Sequence, residues 1–389
     1  MNRFLCAAVF SIFVTPAIAA PACDLSAADA TKAGSGCAQA WMDANLHLND
    51  ILTVGTHNSY KQAIDPKIMA LIASKSAQIA GSLDYSHIPL DQQLDRGARA
   101  LELDVVYDPR GGRFANPLGP RLTGVKLPNN YAAEMLKPGF KVLHAQDFDY
   151  LSSCVTFVQC LNVLKSWSQA HPDHVPILIT LNAKDDSPVA VGTQALKFDT
   201  EAFDALDGEI ASVFAPGDLI TPDQVQGSAA TLRDAVLQHG WPTLGQSRGK
   251  FLFALDEEEP KISLYRAGRK SLKGRMMFVN APEDSPAAAY LTLNEALTDT
   301  AHITKDVKAG FLVRTRADAD TVEARKNDTS RRDAALASGA QYVSTDYMEP
   351  DVRFGSYQVR LPGDAVALCN PQRAPERCAG LAITETGGK

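Results

Sequence analysis

One segment of the chain reads RALELDVV over residues 99–106, with no Gly or Pro to interrupt it. Its apolar residues flank Glu102 and Asp104, and it ends on two β-branched valines. Short apolar runs of this kind are typical of strands buried on both faces of a parallel sheet. The sequence contains eight such runs, at residues 51–56, 99–106, 141–145, 176–181, 250–255, 275–280, 311–315 and 341–345.

Segments with apolar residues at three- and four-residue spacing lie between most of these runs, for example at 90–97, 160–170 and 320–338. Eight strands separated by helices predict an α/β fold, a TIM-type (β/α)8 barrel, in a single domain. An open doubly wound sheet shares the alternation and is the alternative. Two long βα connections, 108–139 and 186–249, are expected to shape the substrate site.

The first residues place one Arg ahead of an apolar run that ends in Ala17-Ile18-Ala19. This pattern predicts a signal peptide at 1–19 and a secreted or periplasmic protein. We divide the rest into an N-terminal segment at 20–47, the barrel at 48–350 and a C-terminal extension at 351–389. Cys6 leaves with the signal peptide, and six cysteines remain. Local pairing, the simplest connectivity, joins Cys23 to Cys37, Cys154 to Cys160 and Cys369 to Cys378, which closes the C-terminal tail.

The net charge is −7, and both signs are spread along the chain. No basic stripe recommends nucleic acid as a partner. No obligate protein partner is inferred.

Polar residues that directly follow the apolar runs decide the function, because the active site of a parallel barrel lies at the carboxyl ends of its strands. His57, Asn58, Asn182, Lys184 and Asp185 follow such runs, whereas Glu102, Asp104 and His144 lie within them. Two imidazoles beside carboxylates can act as a general acid–base pair, so His57 and His144 are the expected catalytic residues.

Glu102 and Asp104 are two residues apart, so strand pleating points both carboxylates to one face. Like charges on a buried face are costly, and a bound divalent cation is the usual remedy. Asn58 can add an amide oxygen. Oxygen ligands without thiolates favour a hard ion, which predicts Ca²⁺.

The segment Gly55-Thr56-His57-Asn58-Ser59-Tyr60, the pair Glu102-x-Asp104 and His144 occur in the order found in phosphatidylinositol-specific phospholipase C. The chain resembles the bacterial calcium-dependent members of this family from about residue 48 to 347. The resemblance implies that His57 and His144 are catalytic and that Asn58, Glu102 and Asp104 bind calcium. Eukaryotic relatives have a glutamate ligand where this chain has Asn182, so either Asn182 or Asp185 completes the site.

The resemblance also implies the reaction, transfer of the phosphodiester to a neighbouring hydroxyl, which gives a cyclic phosphate and releases diacylglycerol. A phospholipid at a membrane surface is then the expected substrate. Glu102 is a plausible proton acceptor, His57 would contact the phosphoryl oxygens, and His144 would protonate the leaving oxygen. Lys184 and Arg314 are expected to hold phosphate or inositol hydroxyls, with structural salt bridges as the alternative.

Two other functions remain open. A glycerophosphodiester phosphodiesterase would share the barrel, metal and histidines, but its usual His-Arg-Gly opening is missing here. A non-catalytic secreted protein that binds calcium or phosphoinositide would not need both His57 and His144.

Overall fold

The computed structural model describes residues 22–238, 240–378 and 380–385. The predicted signal peptide, Cys6 and His239 lie outside the described residues. The strands are β1 Ile51–Thr56, β2 Ala100–Val106, β3 Lys141–Val142, β4 Ile177–Ala183, β5 Phe251–Leu255, β6 Met277–Val279, β7 Tyr290–Glu295, β8 Leu312–Arg316, β9 Tyr342–Thr345, β10 Ala367–Cys369 and β11 Ala382–Ile383.

The helices lie mainly between these strands, as expected for an α/β protein. They are α1 Ala38–Asn45, α2 Pro66–Ala73, α3 Ala77–Ser82, α4 Leu90–Asp95, α5 Leu118–Thr123, α6 Tyr131–Met135, α7 Phe157–Ala170, α8 Thr200–Val213, α9 Pro222–Gln226, α10 Leu232–Gln238, α11 Leu244–Ser247, α12 Lys261–Arg266, α13 Ala296–Ala309, α14 Val322–Lys326, α15 Ser330–Ser338 and α16 Pro375–Cys378. None of the helices in this part of the chain is long and apolar enough to cross a membrane.

The strands form two mixed sheets. One has the order β11-β10-β1-β9-β8-β7 and the other β3-β2-β4-β5-β6. The strands β1, β9, β8 and β7 are parallel neighbours, and so are β2, β4, β5 and β6. Between the sheets, Arg99 N donates to Val54 O at 2.8 Å, and Asn280 forms a parallel bridge with Tyr290.

Two strand predictions were wrong. Residues 141–145 were expected to form a parallel strand, but only Lys141–Val142 is extended, and it pairs antiparallel with β2. The parallel strand β7 was not predicted. This strand is buried at Tyr290 but exposed at Glu295, so it lacks a continuous apolar run. The helix expected over 320–338 is divided into α14 and α15.

The amino ends of the strands are closed by both ends of the described chain. The tail strand β10 pairs antiparallel with β1. Trp41 of α1, Val175, Leu244 and Ile383 belong to one buried apolar cluster. This packing leaves the carboxyl ends of the parallel strands as the open edge.

All three local disulfides are confirmed, with Cys23 bonded to Cys37, Cys154 to Cys160 and Cys369 to Cys378. The second bond lies directly before and within α7. Thr156 caps that helix, and Phe157, Leu161 and Leu164 form its buried face.

Candidate active site

The turn after β1 positions the first catalytic candidates. Asn58 has φ of 47°, a left-handed conformation that Asn tolerates better than most residues. Ser59 N donates to Glu102 O at 2.9 Å, and Glu102 N donates to Ser59 Oγ at 2.8 Å. These two bonds fix the His57-Asn58 segment against β2.

The acidic pair on β2 is buried, with Glu102 3% and Asp104 1% exposed. Asp104 is in register with Asn182 on the parallel strand β4. Asn182 Nδ2 donates to Glu102 Oε1 at 2.9 Å and to Asp104 Oδ1 at 3.0 Å. The predicted pair and Asn182 therefore form one polar group at the carboxyl ends of neighbouring strands.

Two cations offset the charge of this pair. Arg314 on β8 donates through Nη2 to Glu102 Oε2 and, at 2.9 Å, to Ser344 Oγ. Lys184 Nζ lies 3.5 Å from Asp104 Oδ2, and this carboxylate raises the pKa of Lys184. Arg314 and Lys184 therefore each form an ion pair with one of the two carboxylates. Such salt bridges were the alternative role considered for these two residues from the sequence.

Arg314 has further partners that the sequence did not indicate. Its Nη1 donates to Asn294 Oδ1 at 2.7 Å and lies 3.7 Å from Asp256 Oδ2. Burial raises the pKa of Asp256, although the Arg314 charge opposes this effect. The guanidinium is thus fixed by groups from four other strands or strand ends, since Glu102 and Ser344 also contact it.

His57 is held by a carboxylate and faces a guanidinium. Its Nδ1 lies 2.8 Å from Asp346 Oδ1, and its Nε2 lies 3.3 Å from Arg316 Nη1 and 3.5 Å from Glu102 Oε1. Arg316 Nη2 also donates to Asp346 Oδ2 at 3.0 Å. Because a guanidinium can only donate, Nε2 accepts and the ring proton sits on Nδ1, facing Asp346.

Asp346 is ionised, whereas Asp318, which lies behind it, is protonated much more readily. Burial alone would raise the pKa of Asp346, but its contacts with His57 and Arg316 lower it to about 2. Burial and the neighbouring Asp346 raise the pKa of Asp318 to about 7. Asp318 Oδ1 accepts a bond from Asp346 N at 2.8 Å, so it supports the backbone rather than the imidazole.

His144 has its own carboxylate. Its Nδ1 lies 2.9 Å from Asp149 Oδ2, and Lys61 Nζ lies 3.3 Å from the same oxygen. Lys61 and Asp149 are both buried. His144 and Lys184 line one cavity of about 570 Å³, together with Gln146 and Asp186. Asp149 therefore fixes the orientation of the His144 ring through Nδ1, and the ring is open to the cavity.

The donor set suits a hard divalent cation. Asp104 Oδ2 is buried and has no hydrogen-bond partner, and the sole hydrogen bond that Asn58 Oδ1 accepts among the described residues is a 3.5 Å bond from Tyr60 OH. Oxygens of this kind, beside a second carboxylate, are typical of calcium sites. Asp185 points elsewhere: its carboxylate lies 3.2 Å from Lys261 Nζ and 3.6 Å from Lys197 Nζ.

Three functional candidates were missed from the sequence: Arg316, Asp346 and Asp149. Arg316 ends β8, and Asp346 directly follows β9, so the strand-end rule that found His57 would have found both. Asp149 lies five residues beyond His144, where only the turn bridged by Ala145 and Asp149 brings it back.

A Gly-x-Ser-x-Gly pattern at residues 245–249 is typical of nucleophilic serines, but here it has a structural role. Ser247 is buried in α11, and its Oγ donates to Thr243 O at 2.8 Å. The segment precedes β5 and therefore lies at the amino end of that strand.

Buried carboxylates suited to a metal, ringed by cations and flanked by two imidazoles with carboxylate partners, are typical of metal-assisted phosphodiesterases. Residues 46–371 match the sequence model of one such family, Ca²⁺-dependent phosphoinositide phospholipase C. The chain belongs to this family. It is a phosphodiesterase that acts on phosphoinositide lipid and uses Ca²⁺.

The fold is similar to that of a solved structure. A Ca²⁺-dependent phosphatidylinositol-specific phospholipase C from Streptomyces antibioticus is 18% identical, with a TM-score of 0.50 over 77% of this chain and 95% of that one. A calcium-dependent phosphoinositol-specific phospholipase C from a Pseudomonas species is also 18% identical, with a TM-score of 0.48 over 84% of this chain and 96% of that one. No curated protein matches the chain.

Proposed function

We propose that the chain is exported and cleaves phosphatidylinositol at a membrane surface, by internal transfer that gives a cyclic inositol phosphate and diacylglycerol. The family match over residues 46–371 carries this proposal. The three disulfides are of the kind that persist in oxidising compartments, which supports a secreted or periplasmic location.

The two mixed sheets, in this proposal, are halves of one (β/α)8 barrel over residues 48–350, with residues 351–389 as a packed extension. The Arg99–Val54 hydrogen bond and the Asn280–Tyr290 bridge support closure at the two seams. Eight parallel strands would then follow each other around the ring in chain order, with β3 outside it. The catalytic residues would lie at the carboxyl edge of that ring.

Asn58, Glu102, Asp104 and Asn182 would hold Ca²⁺, with Asn182 turning its amide oxygen inward. Asp185 is the weaker candidate because two lysines already contact its carboxylate. When bound, the ion lowers the pKa of a hydroxyl and offsets phosphoryl charge.

We assign the proton acceptor to His57 rather than to Glu102. Both Glu102 oxygens already accept hydrogen bonds, one from Asn182 and one from Arg314. The Nε2 of His57 carries a lone pair and faces the acidic pair, while Asp346 stabilises the positive ring that forms. Arg316, beside this nitrogen, would neutralise charge on the phosphoryl oxygens.

His144 would protonate the leaving glycerol oxygen. The bond from the inositol 2-hydroxyl oxygen to phosphorus forms as the bond from phosphorus to glycerol oxygen breaks. One proton goes to His57 and another leaves His144, so the two rings end with exchanged protonation states. Lys184, in the same cavity as His144, would contact a phosphate or inositol oxygen.

The test is to incubate the purified protein with phosphatidylinositol and, separately, with glycerophosphoinositol, each with calcium or with chelator. Phosphorus NMR then identifies the phosphate products. We expect calcium-dependent cyclic phosphate from the lipid. Turnover of the soluble diester alone would favour a glycerophosphodiesterase, and absence of turnover on both would favour a binding protein.

A further inference from the structure

A second acidic cavity lies beside the active-site edge, at the carboxyl ends of β5 and β6. It has a volume of about 590 Å³, and its lining includes Glu257, Glu258, Glu283, His302 and Asp306. Neither His302 nor Asp306 contributes to the site described above.

Three of the lining residues converge. Glu283 comes from the β6–β7 connection, while His302 and Asp306 are four residues apart on α13 and so share one face of that helix. One ligand atom from each of the three lies within 4.8 Å of the other two. His302 Nε2 contacts Glu283 Oε1 and lies 3.1 Å from Asp306 Oδ2. Ligand atoms on a tetrahedral ion, with bonds of about 2.0–2.1 Å, have separations of about 3.3 Å.

The Asp306 carboxylate is buried and lacks hydrogen bonds. Its side chain is 1% exposed, it lines the cavity, and neither of its carboxylate oxygens has a hydrogen-bond partner. A buried carboxylate without hydrogen bonds is costly unless a cation compensates it.

Lys305 supplies part of that compensation in the metal-free protein. Its Nζ lies 2.8 Å from Glu283 Oε2 and 3.6 Å from Asp306 Oδ1. The Lys305 side chain is 65% exposed, so it can leave the cluster at little cost. A metal ion held by His302 Nε2 and the two oxygens beside it, Glu283 Oε1 and Asp306 Oδ2, would then replace this positive charge.

We propose that Glu283, His302 and Asp306 form a binding site for a divalent transition-metal ion of the zinc class, separate from the calcium site. An imidazole nitrogen with two carboxylate oxygens suits zinc better than calcium, which prefers oxygen alone. Three protein ligands leave one position open towards the cavity. The ion would join the β6–β7 connection to α13. This inference does not depend on the proposed reaction.

The test is calorimetric titration of the tag-free, full chain with Zn²⁺ in excess calcium, which keeps the acidic pair at Glu102 occupied. The number of Zn²⁺ bound should fall by one in His302→Ala and in Glu283→Gln. Affinity at this site should drop at least about 100-fold, beyond the 10- to 100-fold that loss of a group behind a ligand costs. Lys305→Gln should tighten binding, because it removes the competing cation.

Glu258→Gln is the matched control, since Glu258 lines the same cavity but is not part of the cluster. It should bind Zn²⁺ as the wild type does. Substituting Co²⁺ adds a spectroscopic check, because visible bands that disappear in His302→Ala report an imidazole ligand. Unchanged stoichiometry in His302→Ala, or equal losses in Glu258→Gln, would overturn the proposal. Calcium-dependent activity should persist in His302→Ala, which separates this site from the catalytic one.

Discussion

Replacing Asp346 with Asn should reduce turnover far more than loss of one negative charge suggests. Asp346 Oδ2 accepts a bond from Arg316 at 3.0 Å, and Oδ1 faces His57 Nδ1 at 2.8 Å. An amide has a single oxygen, and the permanently charged Arg316 requires it. The amide NH₂ must then face Nδ1, which forces the ring proton onto Nε2.

A ring protonated at Nε2 cannot accept the proton of the attacking hydroxyl. We therefore expect kcat to fall by about 10³-fold, which corresponds to about 4 kcal/mol of transition-state stabilisation. The magnitude lies within the range for losing a positioned acid or base, and a wrong tautomer has a comparable effect in the Ser-His-Asp triad. The assay is the rate of cyclic phosphate formation from phosphatidylinositol in saturating calcium.

Asp318→Asn is the control for this prediction. Asp318 is a buried carboxylate in the same network, but it contacts Asp346 N, Thr345 and Tyr357 rather than His57. With a pKa of about 7 it is partly protonated at neutral pH, so an amide imitates a form already present. Turnover in Asp318→Asn should stay within a few-fold of the wild type. A similar loss in both variants, or near-normal turnover in Asp346→Asn, would refute the assignment of the tautomer.

Chelation should abolish turnover, and calcium should restore it better than magnesium, because magnesium demands near-octahedral geometry; activity in excess chelator would contradict the metal assignment. His144→Ala should be rescued by a substrate with a better leaving group, whereas His57→Ala should not, and equal rescue of both would refute the division of roles. The depressed pKa of Asp346, about 2 against 3.8, stabilises the fold by about 2 kcal/mol above pH 4. This stabilisation is lost as the pH falls towards 2. In urea unfolding, the difference in free energy of unfolding between the wild type and Asp346→Asn should therefore shrink over that range. Replacing Cys154 and Cys160 by Ser should lower the free energy of unfolding by about 2 kcal/mol in the same assay, since the loop they close is short. An unchanged urea midpoint would contradict a stabilising role for this disulfide.

The strands that the sequence predicted correctly are those buried on both faces. Ile51–Thr56 is buried at every position, so its apolar run and its strand coincide. The strand Tyr290–Glu295 was missed because only its first two residues are buried. In 141–145, Val142 and Leu143 are buried by packing against other side chains, which a hydrophobic run cannot distinguish from parallel pairing.

The site residues were predictable where one strand end carries them. Glu102 and Asp104 share a pleat face, and His57 follows a strand directly. Asp346 obeys the same rule, but its role depends on a contact across 289 positions of sequence. Lys61 could not be identified for another reason: a lysine a few residues after a predicted strand gives no sign that it will be fully buried against Asp149.

The acidic pair has enough fixed positive charge nearby to be tolerated without metal. Arg314 contacts Glu102, and Lys184 lies 3.5 Å from Asp104, so each carboxylate has a cation from another strand. Metal removal should therefore stop turnover without unfolding the protein, unlike in small domains that fold only around their metal.

The same two cations repel calcium and should weaken its binding towards the range of about 10⁻⁴–10⁻³ M that is typical of extracellular modules. Lys184→Met should then tighten calcium binding while slowing turnover, because Lys184 also faces the cavity beside His144. Calorimetry with calcium and the rate assay measure the two effects separately, and weaker calcium binding in this variant would contradict the argument.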